Sequence, residues 1–449
     1  MKFQRSPRRL ALIAIALAAM FALPAVAQTI NEDFKLLPFD GSVSSRFGHA
    51  VAMSDSTVVV GAYYDNVNGE NSGSVYLFDI PGDLYGIRLL PDDGSAYDDF
   101  GHSVAISGTT AVVGARGDDD NGSGSGSAYI FDTLTGQLLR KLLPSDGTAG
   151  DDFGHSVAIS GSTVLVGAQG DGGDSLPPGS AYLFDAATGQ QIAKLLPTDG
   201  SAGTQFGYSL GISGNTAIVG TLGDLSSAYL FDATTGQQIA ELVPTDGVNG
   251  SRFGYSVAIS GSTAIVGAYE DDDNGEYSGS AYLFDTTTGQ QIAKLLPNDG
   301  GEVDAFGYSV SIHGTTAIVG APGNNDYGED SGAVYVFETT TGQQIAKLLP
   351  SDGAAKAYFG IHIALSGSTA VVGADYDPND GMVTGSAYTF TIPSCAADLN
   401  NDDTLNFFDV SAFLAAYQNQ DPIADFTNDG SFDFFDVSAF IVAYTAGCP

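Results

Sequence analysis

The chain has 449 residues, of which 43% are hydrophobic and 10% aromatic, and 15 Lys and Arg stand against 53 Asp and Glu for a formal net charge of −38. Such an acidic chain disfavours binding to nucleic acids and to anionic membranes, because contacts to phosphate need Lys and Arg. The regular runs of apolar and aromatic residues exclude a largely disordered protein.

Residues 1–27 are predicted to be a secretory signal peptide. The basic stretch "MKFQRSPRRL" precedes the apolar stretch "ALIAIALAAMFALP", and "AVA" forms a cleavage site directly before Gln28. The alternative is an anchor that is retained at the N-terminus. Removing the segment leaves 11 basic residues against 53 acidic ones, a net charge of −42. No later segment approaches the roughly 18 apolar residues that cross a membrane. We therefore expect a secreted protein, extracellular or on the cell surface of a bacterium.

An internal repeat follows the signal peptide. A Phe-Gly pair occurs seven times, from Phe47 to Phe359, at spacings of 53 residues except for one of 47. Each pair is followed by a glycine after fourteen residues, then by a "SAYLFD"-like stretch, and "KLLPxDG"-like segments also number seven. A fixed period of this length indicates one structural unit that is repeated.

Each repeat contains four short stretches that read as β-strands, "SVAIS", "TAIVGA", "AYLFD" and "IAKLLP". They are rich in β-branched and aromatic residues and are bounded by Gly, Pro, Asp and Ser. Because they are apolar almost without alternation, both faces of each sheet should be buried, as in the blades of a β-propeller. We predict a mainly β fold, a seven-bladed propeller over residues 28–393, with the strand after Phe-Gly innermost.

The two ends of the repeat region predict how the ring closes. The segment "KLLP" at 35–38 has no preceding "AYLFD" strand, and the seventh repeat ends at "SAYTFTIP" without its own "KLLP". We therefore expect the N-terminal strand to be the outer strand of the last blade, which leaves no unpaired sheet at the seam.

The stretch "FGHSVAISGSTVLVGA" resembles the FG-GAP repeat, the unit of the seven-bladed propeller in integrin α subunits and many bacterial surface proteins. The resemblance covers about residues 31–392 and implies a role in recognition or adhesion. Integrin-type blades often place an acidic calcium loop before the Gly-Ala-Pro strand. Here "SGST" or a similar turn stands at that position, so integrin-type cation sites are not expected in the propeller.

The loops predict one strongly acidic face. Loops such as "YEDDDNGEYSGS" and links such as "PSDGTAGDDFG" should share a face, whereas the uncharged turns "SGST" and "TTTGQQ" lie on the other. The acidic face could capture cations or a basic or sugar ligand, or could simply be solvated. The fourth repeat has only "TLGDLSS" as its loop, which predicts a notch. The tripeptide at Arg116–Asp118 is interpreted as a chance "RGD".

The residue after each Phe-Gly pair is His or Tyr in six repeats, and Ile361 followed by His362 in the seventh. These residues are His49, His102, His155, Tyr208, Tyr255 and Tyr308. We interpret the position as a structural one near the central channel, because Tyr is a poor zinc ligand. No nucleophile and base stand in a catalytic pattern, so we expect no enzyme activity. The absence of Trp also argues against a quinone-cofactor dehydrogenase.

Residues 394–449 form a second predicted unit, with two related copies 27 residues apart. Each begins with a 12-position loop that carries oxygen ligands at positions 1, 3, 5, 7 and 12, as calcium requires. These residues are Asp398, Asn400, Asp402, Thr404 and Asp409, and Asp425, Thr427, Asp429, Ser431 and Asp436. Thr404 and Ser431 would contribute main-chain oxygens. The alternative is acidic turns without metal. A short helix should follow each loop.

This unit resembles a type I dockerin, a pair of F-hand calcium loops. The resemblance implies two Ca²⁺ sites and binding to a cohesin-type protein partner, with recognition residues at loop positions 10 and 11. Those positions hold Phe407, Phe408, Phe434 and Phe435. The alternative is that one Phe of each pair belongs to the core. Asp403 replaces the usual glycine at position 6, and Thr427 replaces Asn or Asp at position 3, which implies weaker sites.

Two cysteines, Cys395 and Cys448, bracket the second unit. In an exported protein an even number of cysteines predicts a disulfide.

The sequence thus predicts an exported, monomeric and non-catalytic protein. Its propeller would bind an extracellular protein or polysaccharide, and its C-terminal unit would be a calcium-dependent anchor. Two alternatives remain open: a carbohydrate-binding or hydrolytic subunit of a polysaccharide-degrading complex, and a structural component of the envelope.

Overall fold

The computed structural model describes residues 28–40, 44–80, 83–172, 178–198, 204–223, 227–247, 250–379, 382–392, 399, 405–419, 424, 426, 432 and 434–446. The predicted signal peptide and the predicted disulfide between Cys395 and Cys448 lie outside these residues. No helix in the described ranges is both long enough and apolar enough to span a bilayer.

Two short strands, β1 Gln28–Ile30 and β2 Phe34–Leu36, precede the first blade. From the channel outward, blade one contains β3 Ala50–Ser54, β4 Thr57–Ala62, β5 Ser74–Asp79 and β6 Asp83–Leu89. Blade two contains β7 Phe100–Ser107, β8 Thr110–Ala115, β9 Ser127–Asp132 and β10 Leu138–Leu142. Blade three contains β11 Phe153–Ser160, β12 Thr163–Ala168, β13 Ser180–Asp185 and β14 Gln191–Leu195.

The strands of blades four to six follow the same order. Blade four contains β15 Ser209–Ser213, β16 Thr216–Gly220, β17 Ala228–Asp232 and β18 Gln238–Leu242. Blade five contains β19 Ser256–Ser260, β20 Thr263–Ala268, β21 Ser280–Asp285 and β22 Gln291–Leu295. Blade six contains β23 Ser309–His313, β24 Thr316–Ala321, β25 Ala333–Glu338 and β26 Gln344–Leu348. Blade seven contains β27 Ile363–Ser366, β28 Thr369–Ala374 and β31 Ser386–Thr391, with the small hairpin β29 Pro378–Asn379 and β30 Met382–Val383 between the last two.

The N-terminal strand closes the ring, as the sequence predicted. Strand β2 is the outer strand of blade seven and pairs antiparallel with β31, with Lys35 opposite Tyr388. The inner strand of blade seven, β27, lies beside β3 of blade one. Blade seven thereby obtains its fourth strand, and its sheet has no unpaired position at the seam.

Strand β1 was not predicted, and it has a packing role at the seam. At other interfaces, the turn before the outer strand of one blade covers the outer strand of the preceding blade. In blade six, for example, a Cβ at Gly342 would lie 3.3 Å from the Cβ of Ala293 in β22 of blade five. Blade seven takes its outer strand from the N-terminus and lacks this turn. Strand β1 pairs in parallel with β26 instead, and Ile30 packs against the core that contains Ala346.

The hydrophobic core is divided among the interfaces between blades. Val164 and Val166 belong to the cluster shared with blade two, whereas Leu165 of the same strand belongs to the cluster shared with blade four. Successive side chains of a strand point to opposite faces, and here both faces meet another sheet. This arrangement explains why the strands are apolar without alternation.

The repeated glycines lie where neighbouring blades touch. A Cβ on Gly167 would lie 2.1 Å from the carbonyl oxygen of Gly207 in the next blade, which leaves no space for a side chain. Gly154 of the Phe-Gly pair has a φ of +91°, in the region that favours glycine. The ring of Phe153 contacts that of Tyr182 edge to face at 5.6 Å. The Phe-Gly pair and the later glycine are therefore packing residues.

The C-terminal unit contains two helices, α1 Phe407–Asn419 and α2 Phe434–Ala446. Their shared core contains Phe413, Ala424 and Phe440, and the rings of Phe413 and Phe440 stack at 4.0 Å. The two predicted helices are therefore present, and each begins at position 10 of its predicted loop, two positions before the loop's last ligand.

Candidate functional site

The two sets of acidic loops meet on one face of the ring. The amide of Gly117, in the loop between the second and third strands of blade two, donates to the carbonyl oxygen of Asp98 at 3.1 Å. Asp98 lies in the link from blade one to blade two. The amide of Tyr97 in the same link donates to the carbonyl oxygen of Glu70 at 2.7 Å. The predicted common face of these loops is therefore present.

In blade two an acid of the long loop points inward, toward a lysine between two blades. Lys141 Nζ lies 2.9 Å from Asp118, 2.6 Å from Asp120 and 2.7 Å from Asp93 of the preceding blade. The hydroxyl of Tyr129 donates to Asp118 at 2.8 Å and lies 2.9 Å from Asp93. Burial alone would raise the pKa of Asp93, but hydrogen bonds from Lys141 and Tyr129 hold it below its usual range.

This arrangement, which we name the interblade lysine cluster, recurs around the ring. The other members are Lys194 with Asp146 and Asp171, Lys294 with Asp246, Asp271 and Asp273, Lys347 with Asp299 and Asp326, and Lys35 with Asp352 and Asp377. In blade one Arg88 pairs with Asp40. In blade four Glu241 stands at the lysine position, and Asp224, which corresponds to Asp118, lies outside the described residues.

The clusters place carboxylates of the acidic propeller around a lysine ammonium group. Oxygens of Asp93, Asp118 and Asp120 lie within 4.8 Å of one another, a spacing that suits a cation, and Lys141 provides the positive charge there. These clusters were not predicted from the sequence. The signal was the constant separation of 48 residues between the aspartate of one "PxDG" segment and the lysine of the next "KLLP".

The aspartate of the "RGD" tripeptide is buried, and its arginine is paired within the propeller. Asp118 is only 4% exposed and binds Lys141, while Arg116 Nε donates to Asp99 at 3.0 Å. Both charged residues of the tripeptide are thus engaged within the propeller.

A cavity of about 580 Å³ lies at the predicted notch, between blades four and five. Arg252 crosses it, with one terminal nitrogen donating to the carbonyl of Leu222 at 2.7 Å and Nε 3.3 Å from Glu270. The described residues that line the cavity are Gly223, Gly250, Ser251, Arg252, Glu270, Asp271, Asp272 and Tyr277. Residues 224–226 of the short loop lie outside the described residues.

The His and Tyr residues after Phe-Gly form a belt that lines the central channel. Their rings follow one another at 4.8 to 5.2 Å, from His362 through His49, His102, His155, Tyr208 and Tyr255 to Tyr308. His362, rather than Ile361, completes the belt, although it stands one position later in its repeat. Burial lowers the pKa of His155 to about 3, helped by the charge of Arg116, and burial lowers that of His362 to about 3.

In the C-terminal unit, the structure describes two of the ten predicted calcium ligands. Asp409 and Asp436 are fully buried, each in the first turn of a helix. Asn406 N donates to Asp409 Oδ2 at 2.8 Å, and Phe408 N donates to Asn406 Oδ1 at 2.7 Å, a reciprocal cap of α1. The other eight lie outside the described residues, namely Asp398, Asn400, Asp402, Thr404, Asp425, Thr427, Asp429 and Ser431.

The four phenylalanines at the helix starts are on the surface. Phe407 and Phe434 are 75% and 74% exposed, and Phe408 and Phe435 are 66% and 65% exposed. The alternative that one Phe of each pair belongs to the core is therefore wrong. Two aromatic pairs at equivalent positions of α1 and α2 form a repeated apolar surface.

Comparison with known proteins agrees with the seven blades. The family model described as "FG-GAP repeat" matches residues 30–78, 87–131, 138–184, 190–231, 237–284, 290–337 and 343–390, well over half of the chain. This chain belongs to the FG-GAP repeat family. Each matched segment begins at the outer strand of one blade and ends with the third strand of the next blade. The sequence repeat is therefore shifted by one strand from the structural blade, and this shift is why β2 completes blade seven.

Two further comparisons complete the picture of this FG-GAP protein. No curated protein matches its sequence. Among solved structures, the crystal structure of the computationally designed Ika8 protein matches with a TM-score of 0.47 and 16% identity, over 82% of this chain and 99% of the designed one. The FG-GAP propeller suggests a scaffold of the recognition or adhesion type.

Proposed function

We propose that this protein is an exported recognition or adhesion protein of a bacterium. Its propeller is the binding scaffold, and its C-terminal unit is a dockerin-like, calcium-dependent anchor to a cohesin-type or surface partner. The observation that carries the proposal is the pair of exposed Phe dipeptides, one at the start of each helix, each followed by a buried aspartate. The protein acts by binding, as a monomer, without catalysis.

The described residues of the unit fit calcium in their chemistry. Calcium takes six or more oxygen ligands, and the buried carboxylates of Asp409 and Asp436 stand where position 12 of each loop would contribute. Each of the two ions would be held by one of these aspartates, together with side chains and a main-chain oxygen from the preceding positions of the same loop. Calcium, when bound, would supply folding energy to a unit whose described core is small.

The apolar surface of the four phenylalanines fits a protein partner. Aromatic residues are frequent anchors of interfaces, and exposed clusters of them are uncommon on proteins that bind nothing. Because α1 and α2 present the same dipeptide, a partner could bind either helix in the same manner.

The anchor is tested with the mature chain as bait in an extract of the bacterial surface. We expect capture of a partner in calcium, and at least tenfold less with a chelator or with the double variant Phe407→Ala, Phe434→Ala. The control is Leu134→Ala, which removes a residue of the propeller that is equally exposed, at 73%. Capture that neither the chelator nor the double variant weakens would show that this unit is not the anchor.

Calcium binding is measured separately by calorimetric titration of the mature chain. We expect two binding events, and the loss of one event in each of the variants Asp398→Asn and Asp425→Asn. The control is Asp132→Asn in a turn of the propeller, which should retain both. An absence of heat up to millimolar calcium would remove the metal from the proposal.

For the propeller, we propose the cavity between blades four and five as the site of an extracellular protein or polysaccharide. The cavity lies where the acidic face lacks one loop, and Arg252, Glu270 and Tyr277 offer both charged and aromatic contacts. Replacing residues 222–226 with the longer loop of blade five should fill the cavity and abolish ligand binding. The same insertion at the Gly214 turn, on the opposite face, is the control and should leave binding unchanged.

A further inference from the structure

The central channel contains a second cavity, of about 350 Å³, at the level of the His and Tyr belt. Its wall is made of imidazoles, phenols, serine hydroxyls and small apolar side chains of the inner strands. Among the described residues that line it, Arg116 is the one with a permanent charge. An arginine beside otherwise uncharged hydrogen-bonding groups is suited to bind a carboxylate.

Arg116 is held in place but retains hydrogen-bonding capacity. Its Nε donates to Asp99 at 3.0 Å, which fixes the side chain, and a guanidinium has five N–H donors in all. The positive charge of Arg116 lowers the pKa of His155. Burial and this charge together keep the imidazole of His155 neutral, so that it can donate or accept a hydrogen bond beside Arg116.

The belt also contains a polar atom without a partner in the described structure. His155 Nδ1 is buried and makes no hydrogen bond, unlike His102 Nδ1, which lies 3.1 Å from the carbonyl oxygen of His155. Because His155 lines the cavity, its imidazole can form a hydrogen bond to a ligand there. Leaving such an atom unpaired costs about 1–3 kcal/mol, so this hydrogen bond would favour binding.

The seven repeats differ from one another at the channel, although they agree in the residues that pack the blades together. The glycines, the Phe residues and the Tyr of each third strand are the same in every blade, and they hold the blades together. The belt, by contrast, has histidines on blades seven, one, two and three and tyrosines on blades four, five and six, and Arg116 stands on blade two alone. An asymmetric lining suits a ligand whose two ends differ.

We propose that the central channel binds a small hydroxylated organic carboxylate, such as a sugar acid, with Arg116 as the carboxylate anchor. The imidazole of His155 donates to or accepts from the ligand beside the anchor, and the phenols of Tyr208, Tyr255 and Tyr308 bind hydroxyl groups. The inference deepens the proposed role of the propeller in binding. It does not depend on the notch between blades four and five or on the C-terminal unit.

The test uses calorimetric titration of the mature chain with galacturonate and with galactose, which lacks the carboxylate. We expect galacturonate to bind at least tenfold more tightly than galactose. Arg116→Gln should lose at least tenfold in affinity for galacturonate, and Arg116→Lys, which keeps the charge, should lose less than Arg116→Gln.

The matched control is Arg252→Gln. Arg252 has the same 32% side-chain exposure as Arg116 and also pairs through Nε with a carboxylate, but it lines the notch. This variant should bind galacturonate as the wild type does. Thermal unfolding of each variant identifies any loss that comes from misfolding.

Three results would overturn the inference: equal affinity for the two sugars, no measurable binding of galacturonate, or full affinity in Arg116→Gln. If Arg252→Gln alone loses affinity, the notch binds the ligand and the channel does not. In that case the proposed function of the propeller stands while this inference fails.

Discussion

Lys141 places one ammonium group among three carboxylates that come from two neighbouring blades. A buried ion pair contributes little net stability by itself, but removing one partner leaves an uncompensated buried charge. The residue therefore acts by preventing repulsion between Asp93 and Asp118.

We predict that Lys141→Met destabilises the propeller at pH 7 by about 2–4 kcal/mol, since the apolar stem is kept and the charge is lost. Urea unfolding of the mature chain measures the change. The control is Lys356→Met, whose exposed partner Glu329 makes a surface pair worth about 0–1 kcal/mol. Equal and small effects of the two substitutions would show that the cluster has no structural role.

Asp98 behaves in the opposite sense to the clustered aspartates, because burial raises its pKa to about 6. A carboxyl whose pKa is raised on folding is favourable when protonated, and its contribution is lost as the pH rises from about 4 through about 6. We predict that Asp98→Asn stabilises the protein at pH 7 by about 1–3 kcal/mol and gives little gain at pH 4. Urea unfolding at the two pH values provides the measurement, and a gain of the same size at both would contradict the assignment.

At the scale of the strand, close contact between blades sets the sequence. The second strand of each blade carries a glycine where the backbone of the next blade approaches, and apolar residues on both faces. Phe153 and Tyr182 both belong to blade three, and they pack against each other at its interface with blade two. The recurrence of Phe, Gly and Tyr therefore follows from packing and not from a site.

Gly167→Ala should therefore destabilise the propeller by about 3 kcal/mol or more, because its Cβ would lie 2.1 Å from a backbone oxygen that cannot move aside. Gly161→Ala is the comparison: its φ is +57°, but no atom lies within 4 Å of the added Cβ, so it should cost about 1 kcal/mol from backbone strain. Thermal unfolding of the two variants distinguishes steric conflict from strain. A larger effect at Gly161 would refute the packing argument.

At the scale of the whole molecule, the ring is held closed by a strand from the opposite end of the chain. Strand β2 completes blade seven, and strand β1 covers the core between blades six and seven. Because the closure joins residue 34 to residue 389, it is a contact of very large sequence separation, and such contacts slow folding.

Deleting residues 28–36 should open the ring and cause cooperative loss of the propeller, since β31 is left with an unpaired edge and the buried Leu36 is lost. Deleting residues 28–30 alone should lower the unfolding temperature by a few degrees and preserve the fold. Circular dichroism during heating and gel filtration measure both effects. A truncated chain lacking residues 28–36 that unfolds like the wild type would show that blade seven is stable with three strands.

Local patterns in the sequence determined the number of blades, the four strands of each and the closure by the orphan "KLLP" segment, because strand type and repeat phase are encoded within a few neighbouring residues. The position of His102 and Tyr255 at the channel also followed from their place after Phe-Gly.

Only the tertiary structure decided which charges meet. Asp93 and Lys141 are 48 residues apart and come together because two blades pack side by side. The pattern within a few neighbouring residues therefore does not predict the pair. His362 joins the belt although it is out of register with the other repeats, and Arg116 faces the channel although its neighbour Asp118 is buried between blades. Side-chain direction at such positions depends on the contact between blades, which the sequence of a single repeat does not contain.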